Sequence, residues 1–199
     1  MKTVLVTGGA GFIGSNFIRH IYRKYPDYRI MVLDSLTYAG NIENIPQEIR
    51  DADRFEFWYG DINNLDLVND LVAKSQVIVH FAAETHVARS LYLNRVFFTT
   101  DVLGTQSVAN AVLKHADTVD RFIHISTSEV YGSARVEPMD EDHPLFMNIC
   151  FCHAPQDKVF HGVRPVFYRL AVYRPVYPLQ QVVFHRHCYA FYRHSYHIH

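Results

Sequence analysis

Residues 3–14 read TVLVTGGAGFIG, and no other stretch restricts the fold of this chain as tightly. Four β-branched residues around a leucine make a short buried strand, and a glycine-rich turn follows at once. Beyond the turn the apolar pattern becomes helical. A strand that enters a helix through glycines leaves the first free N–H groups of that helix at the edge of a sheet, where their partial positive charge suits an anion. In such a turn Gly8 makes the tight bend, Gly11 lets a pyrophosphate approach the backbone, and Gly14 lets helix pack on strand.

The pattern continues. FIGSNFIRHIYRKY places Phe12, Ile13, Phe17, Ile18 and Ile21 on one helical face, and Pro26 ends that helix. RIMVLD is a second strand and FEFWY a third, with LDLVNDLVAK a helix behind it. VIVHFAA is a fourth strand, RVFFTTDVLGTQSVANAVLKHA a long helix, and RFIHIST a fifth strand. Strands alternating with helices at this spacing predict a parallel sheet covered on both faces. The right-handed crossover rule makes it a doubly wound, Rossmann-like sheet. Asp34 closes the second strand about twenty residues beyond the glycines, where a carboxylate accepts hydrogen bonds from adenosine ribose hydroxyls. A carboxylate there repels a 2′-phosphate, so the expected cofactor is NAD rather than NADP.

At 199 residues the chain fits one ordinary domain. No apolar run approaches the roughly 18 residues of a membrane span, so no membrane partner is expected. The opening MKTVLVTGG has neither the cationic flank nor the long apolar stretch of a secretory leader, and a cytoplasmic location is the expectation. The net charge of −1 hides a break. From Ile149 onward Asp157 is the only acid and Lys158 the only lysine, while Arg, His, Tyr and Phe crowd in. Cys150, Cys152 and Cys188 all lie there, and Pro165, Pro175 and Pro178 interrupt the apolar stretches, so this tail is left without an assigned structure. Its C-x-C-H at Cys150 to His153 and H-x-H-C at His185 to Cys188 offer thiolates and imidazoles. Their spacing matches no common structural zinc pattern, and no metal is expected. Stacking and charge alone, without a recognisable module, do not make the tail a nucleic-acid binder.

TGGAGFIG, LDSLTYAGNIENI, GDI, HFAAETHVARS, TDVLGT and HISTSEVYG, in that order, resemble the extended short-chain dehydrogenase/reductase family. Within it, LTYAGN and AAETHV are most similar to the dTDP-glucose 4,6-dehydratases. The likeness covers residues 1–147, read as an NAD-binding domain, with 148–199 a divergent tail and no substrate domain. It implies NAD contacts at Gly8, Gly11, Phe12, Ile13, Gly14, Asp34, Ser35, Leu36, Thr37, Asp61 and Ile62. Further contacts are implied at Phe81, Ala82, Ala83, Glu84, Thr85 and Thr100. Beside Thr100 the family often has Asn where this chain has Asp101, an acceptor that cannot donate as an amide does.

The resemblance also implies the chemistry: NAD takes hydride from C4 of a nucleotide-linked hexose, Glu129 removes the acidified C5 proton as general base, and hydride returns at C6. Thr127 would hold a sugar hydroxyl. Thr85, His86 and Arg89 would face the nucleotide-sugar substrate, Arg89 being equally readable as a plain surface charge. Between Thr127 and Glu129 the dTDP-glucose enzymes carry an Asp as acid; here stands Ser128, able only to relay a proton or orient a water. A Thr-Ser-Glu triplet also resembles GDP-mannose dehydratases and UDP-glucuronate decarboxylases, so the triplet alone does not choose between losing water and losing carbon dioxide. LTYAGN and AAETHV favour dehydration, with a related epimerase or decarboxylase as the alternative. The family's Tyr, one helical turn before a Lys, is missing: none of Lys2, Lys24, Lys74, Lys114 and Lys158 has a Tyr four residues earlier, and Ala154 precedes Lys158. A chain that leaves the family pattern near Met147 is expected to be truncated and either a poor catalyst or a catalytically silent NAD-binding protein. Family members pair through helices of this domain, so a homodimer is a further expectation.

Overall fold

The computed structural model describes residues 1–127, 170–173 and 182–183. The elements run β1 (Thr3–Thr7), α1 (Phe12–Lys24), β2 (Arg29–Asp34), α2 (Gln47–Arg50), β3 (Phe55–Tyr59), α3 (Leu65–Ala73) and β4 (Val77–His80). They continue through α4 (Val87–Ser90), α5 (Asn94–Phe97), a π-helical stretch (Phe98–Gly104), α6 (Thr105–Lys114) and β5 (Arg121–Ile125). Two short strands, β6 (Leu170–Tyr173) and β7 (Val182–Val183), complete the described residues.

Strand order is β3-β2-β1-β4-β5-β6-β7. The first five strands are parallel, in the doubly wound arrangement read from the alternation of elements. β6 runs antiparallel to β5 and β7 antiparallel to β6, an edge that the tail sequence did not signal. Period-two alternation sorts the sheet into two cores. Leu5, Met31, Leu33, Ile78 and Phe122 face α3 and α6, meeting Val68, Leu71, Val108 and Val112. Val4, Val6, Ile30, Val32 and Val79 face the other way, onto Ile18 and Ile21 of α1 and Ile49 of α2. Leu5 and Val6 are both wholly buried on opposite faces, which fixes β1 at the centre; each contributes about 2 kcal/mol by leaving water.

The helix face predicted for α1 needs one correction. Ile18 and Ile21 are buried, with Ile13 and Phe17 half-buried, but Phe12 is 71% exposed. The first turn of α1 lies beyond the end of β1, so no strand stands beneath Phe12 to cover it. At the other end Arg54 closes the helix. Its guanidinium donates to the carbonyls of Tyr22 (2.6 Å), Tyr25 and Tyr28 (both 3.2 Å) and lies 3.6 Å from the centre of the Tyr22 ring. Carbonyls left over at a helix end are thereby satisfied from the approach to β3.

Candidate functional site at the carboxyl edge of the sheet

The parallel strands end together, and the loops after β1, β2 and β4 meet there. Gly8 has φ +69°, and a β-carbon on it would lie 2.5 Å from Ala82 N, so only glycine can pass this close to the β4 strand end. A β-carbon at Gly14 would lie 2.3 Å from Gly8 O, which is why α1 can start directly against the turn. Gly11 differs from both: a β-carbon there would meet only Gly8 O at 3.3 Å. Apart from that one oxygen and the adjoining residues, nothing lies within 4 Å of a β-carbon built on Gly11. As N-cap of α1, Gly11 has no side chain to occupy the first-turn amides, and that turn holds no acid. Open space, free donors and the positive end of a 13-residue helix form a cradle for an anion.

Asp34 stands beside it. Its Oδ2 accepts from Ala10 N and its Oδ1 from Leu36 N, both at 2.8 Å, and the residue is 8% exposed. Leu36 takes φ +49° in making that bond. A carboxylate has about four acceptor positions, so about two remain free for a donor. Ala10 O in turn accepts from Asn41 N (3.1 Å) and Asn44 Nδ2 (2.8 Å), tying the whole loop after β2 to the glycine turn. Ser35 is half-buried and Thr37 exposed, its carbonyl accepting from Gly40 N. Asp61 is exposed and holds its own loop through Asn63 N and Nδ2. Ile62 is buried in the core against α6, so any contact it makes with a ligand goes through its backbone.

On the other side of β1, Phe81 packs against Phe17 and Ala82 N donates weakly to Thr7 Oγ1. Ala83, Thr85 and His86 are exposed. Glu84 is 9% exposed, and its Oε2 has no hydrogen-bond partner among the described residues. Its backbone N–H donates to Asp101 Oδ1 at 2.7 Å. Asp101 follows Thr100 in the π-helical stretch, and burial, with a smaller contribution from the Glu84 charge, pushes its carboxyl up to about 6. At position 101 the carboxylate thus serves as an acceptor for the backbone at Glu84. His86 caps α4, its Nδ1 accepting from Arg89 N. Arg89 does not project as a lone surface charge: its guanidinium carbon lies 4.1 Å from the centre of the Tyr38 ring.

Sequence reading missed a buried polar row. Thr7, His80 and His124 are register partners across β1, β4 and β5. Thr7 Oγ1 and His80 Nδ1 share a hydrogen bond of 2.6 Å, and His80 Nε2 meets Thr105 Oγ1 at 3.0 Å. Burial, and then His124 nearby, push His80 down to about 3, so the imidazole is neutral. The signal was present in period two: His80 follows Ile78 on the α6 face, and His124 follows Phe122. Thr127 is half-buried two residues beyond β5, at the same edge. Ser128, Glu129, Tyr131 and the tail's cysteines and histidines lie outside the described residues. Among the described residues no group of three His, Cys, Asp or Glu could hold a metal ion, and no helix is long and apolar enough to cross a membrane.

An open cradle at Gly11, spare acceptor positions on Asp34 and an orphaned carboxylate oxygen on Glu84 fit a dinucleotide laid across this edge. The profile described as GDP-mannose 4,6 dehydratase matches residues 5–154. A low-salt glycan biosynthesis protein of Haloferax volcanii is 49% identical over 142 residues, 71% of this chain and 44% of that protein. A dTDP-glucose 4,6-dehydratase of Streptomyces niveus is 45% identical over 155 residues, 76% of this chain and 45% of that one. The crystal structure of dTDP-glucose 4,6-dehydratase from Streptomyces venezuelae, with NAD and TYD bound, superposes with a TM-score of 0.66 at 43% identity, over 72% of this chain and 45% of that one. The Bacillus anthracis dTDP-glucose 4,6-dehydratase, in complex with NAD, gives 0.64 at 35% identity, over 78% and 46%. The chain spans about half the length of the curated relatives it matches.

Proposed function

The chain belongs to the GDP-mannose 4,6-dehydratase family, and on that premise we propose that residues 1–147 form the NAD-binding domain of a nucleotide-sugar 4,6-dehydratase of the dTDP-glucose type, followed by a divergent tail. One observation carries the cofactor reading: Asp34, pinned by Ala10 N and Leu36 N, keeps free acceptor positions beside the open space at Gly11. Gly8, Phe12, Ile13, Gly14, Ser35, Leu36, Thr37, Asp61, Ile62, Phe81, Ala82, Ala83, Glu84, Thr85 and Thr100 complete the contact set.

NAD, when bound, supplies the acceptor for hydride from sugar C4 and its donor back to C6. The chain's own residues would bind and orient the sugar and move the C5 and C6 protons. The Tyr that would take the C4 hydroxyl proton is missing from its family spacing before Lys158. The α1 amides hold phosphate charge, Asp34 orients a ribose, and the sheet edge excludes water behind Phe81 and the Thr7–His80 pair. Thr127 holds a sugar hydroxyl, Glu129 receives the C5 proton, and Ser128 relays a proton to the departing C6 oxygen. His86, Thr85 and Arg89 are the expected contacts to the nucleotide-sugar substrate.

The absence of a Tyr four residues before any Lys favours a second reading, in which the chain binds NAD and turns over no sugar. One measurement tests both readings and a second divides them. Calorimetric titration should show NAD bound more tightly than NADP in both. A 4-keto-sugar assay with dTDP-glucose gives the 6-deoxy product only in the first. A C4 epimer that keeps the C6 oxygen would move the reaction to a related epimerase, and carbon dioxide released from a nucleotide-linked hexuronic acid would move it to a decarboxylase. No heat with NAD overturns both. A homodimer and a cytoplasmic location belong to the same proposal. Val96, Phe98, Val102 and Leu103 are exposed along α5 and the π-helical stretch, with Tyr92 exposed in the turn before α5, an apolar surface of the kind copies bury against each other. Sedimentation tests the first and cell fractionation the second.

A further inference from the structure

The loops after β2 and β4 leave the sheet on opposite sides of the glycine turn, because β1 lies between those strands. Neighbouring strands are roughly 4.8 Å apart, so β2 and β4 are separated by about 10 Å. Yet Tyr38, four residues beyond Asp34, and Arg89, five beyond Glu84, meet face to face at 4.1 Å. Any contact between these two loops beyond the strand ends must pass over the mouth of the crevice at Gly8–Gly14. Both partners are held from below. Tyr38 sits in a turn closed by Gly40 N donating to Thr37 O, and the next residue, Asn41, donates to Ala10 O. Arg89 sits in α4, where His86 caps its backbone.

We propose that the Tyr38–Arg89 pair is a strap across the dinucleotide crevice, and that its role is to slow release of the cofactor. This rests on the NAD reading above. A reaction that returns its hydride within one turnover never needs to exchange its dinucleotide, so a strap that delays exchange does not slow the cycle. The pair is 51% exposed at Tyr38, which argues against a packing role in the core. A guanidinium over a ring is an electrostatic contact that either Tyr or Phe provides.

The test is the NAD dissociation rate of the full chain, by displacement with excess unlabelled dinucleotide. Wild type is compared with Arg89→Leu, Tyr38→Leu, the double variant and Tyr38→Phe. The strap predicts release about two- to fivefold faster in each single leucine variant, no further increase in the double, and wild-type release in Tyr38→Phe. NMR of the chain without cofactor should show the Arg89 side-chain signals shifted by the Tyr38 ring, lost in Tyr38→Leu and kept in Tyr38→Phe. Effects that multiply in the double variant, or unchanged release, overturn the strap while leaving NAD binding intact. Slower turnover with unchanged release would make Arg89 a substrate contact instead. A wild-type chain that binds no NAD removes the cofactor reading and the strap with it.

Discussion

The two walls of the crevice are built on different principles. On the β2 side the buried polar groups beside the cradle are already tied to the backbone: Asp34 takes two backbone donors, and Ala10 O takes two more from Asn41 and Asn44. On the β4 side the same distance from β1 there is an orphaned carboxylate oxygen on Glu84, an acid on Asp101 pushed up to about 6, and a neutral buried His80. One wall is organised before anything binds. The other stores unsatisfied and depressed-charge groups, which is where binding free energy can still be gained.

The sharpest way to break this contrast is at the turn both walls share. Gly14→Ala forces a β-carbon to 2.3 Å from Gly8 O, and no flexible side chain is there to yield. A loss of about 3 kcal/mol or outright failure to fold is expected, read by urea unfolding. Gly11→Val adds bulk where only one atom lies within reach. Stability should change by less than about 1 kcal/mol, while NAD affinity falls at least about a hundredfold because the cradle is filled. If Gly11→Val unfolds the chain as Gly14→Ala does, the space over Gly11 is not a ligand cradle.

Asp34→Ala attacks the organised wall alone. It leaves Ala10 N and Leu36 N without acceptors in a buried place, at about 2–3 kcal/mol. NAD affinity should drop more than about tenfold as well. A variant that kept both stability and affinity would mean that the β2 wall is organised by its loop backbone and not by the carboxylate.

Much of this wall was legible in the sequence, and little of the other. Gly8, Gly11, Gly14 and Asp34 act through local geometry: a turn, a helix start and a strand end, each written in consecutive residues. The groups of the β4 wall act through contacts formed only after the chain has crossed over. Thr7 and His80 are 73 residues apart, His80 and Thr105 are 25 apart, and Glu84 meets Asp101 across 17. No periodicity announces such pairs. The long helix read from RVFFTTDVLGTQSVANAVLKHA is there, yet the wider π-helical turn at Phe98–Gly104 follows no 3.6-residue pattern, and it carries Thr100 and Asp101. Phe12 was misplaced for a related reason: helical phase says which face a residue shares, not whether a strand lies under it.

His80 gives the β4 wall a pH signature. Its folded-state value is about 3 against an ordinary 6.5, so the unfolded chain binds one more proton between those values. Stability contributed by neutral His80 is therefore complete above pH 6.5 and is lost on acidification, by roughly 1.4 kcal/mol per pH unit. His80→Gln should cost about 1–2 kcal/mol at pH 7 for the weakened bonds to Thr7 and Thr105. It should also flatten the slope of unfolding free energy between pH 6 and pH 4. An unchanged slope would show that His80 titrates normally and that the wall is open to water.

Asp101 works in the opposite direction and more weakly. Its folded-state value of about 6 lies above the ordinary 3.8, so between them the folded chain binds the extra proton and stability falls as pH rises. Two units correspond to about 2.7 kcal/mol. The residue is only half-buried and water screens its charge, which leaves about 1 kcal/mol. Asp101→Asn keeps an oxygen to accept from Glu84 N and removes the charge facing Glu84. The variant should gain about 1 kcal/mol at pH 8 and nothing at pH 4, so that the acid limb due to His80 becomes steeper between those values. The two titrations oppose each other in the wild-type chain over pH 4–6, where its stability should be flatter than either group alone would make it. Equal stabilisation of Asp101→Asn at both pH values would mean that Asp101 is ionised throughout. The β4 wall would then store no protonated acid, and its contrast with the β2 wall would reduce to the single orphaned oxygen of Glu84.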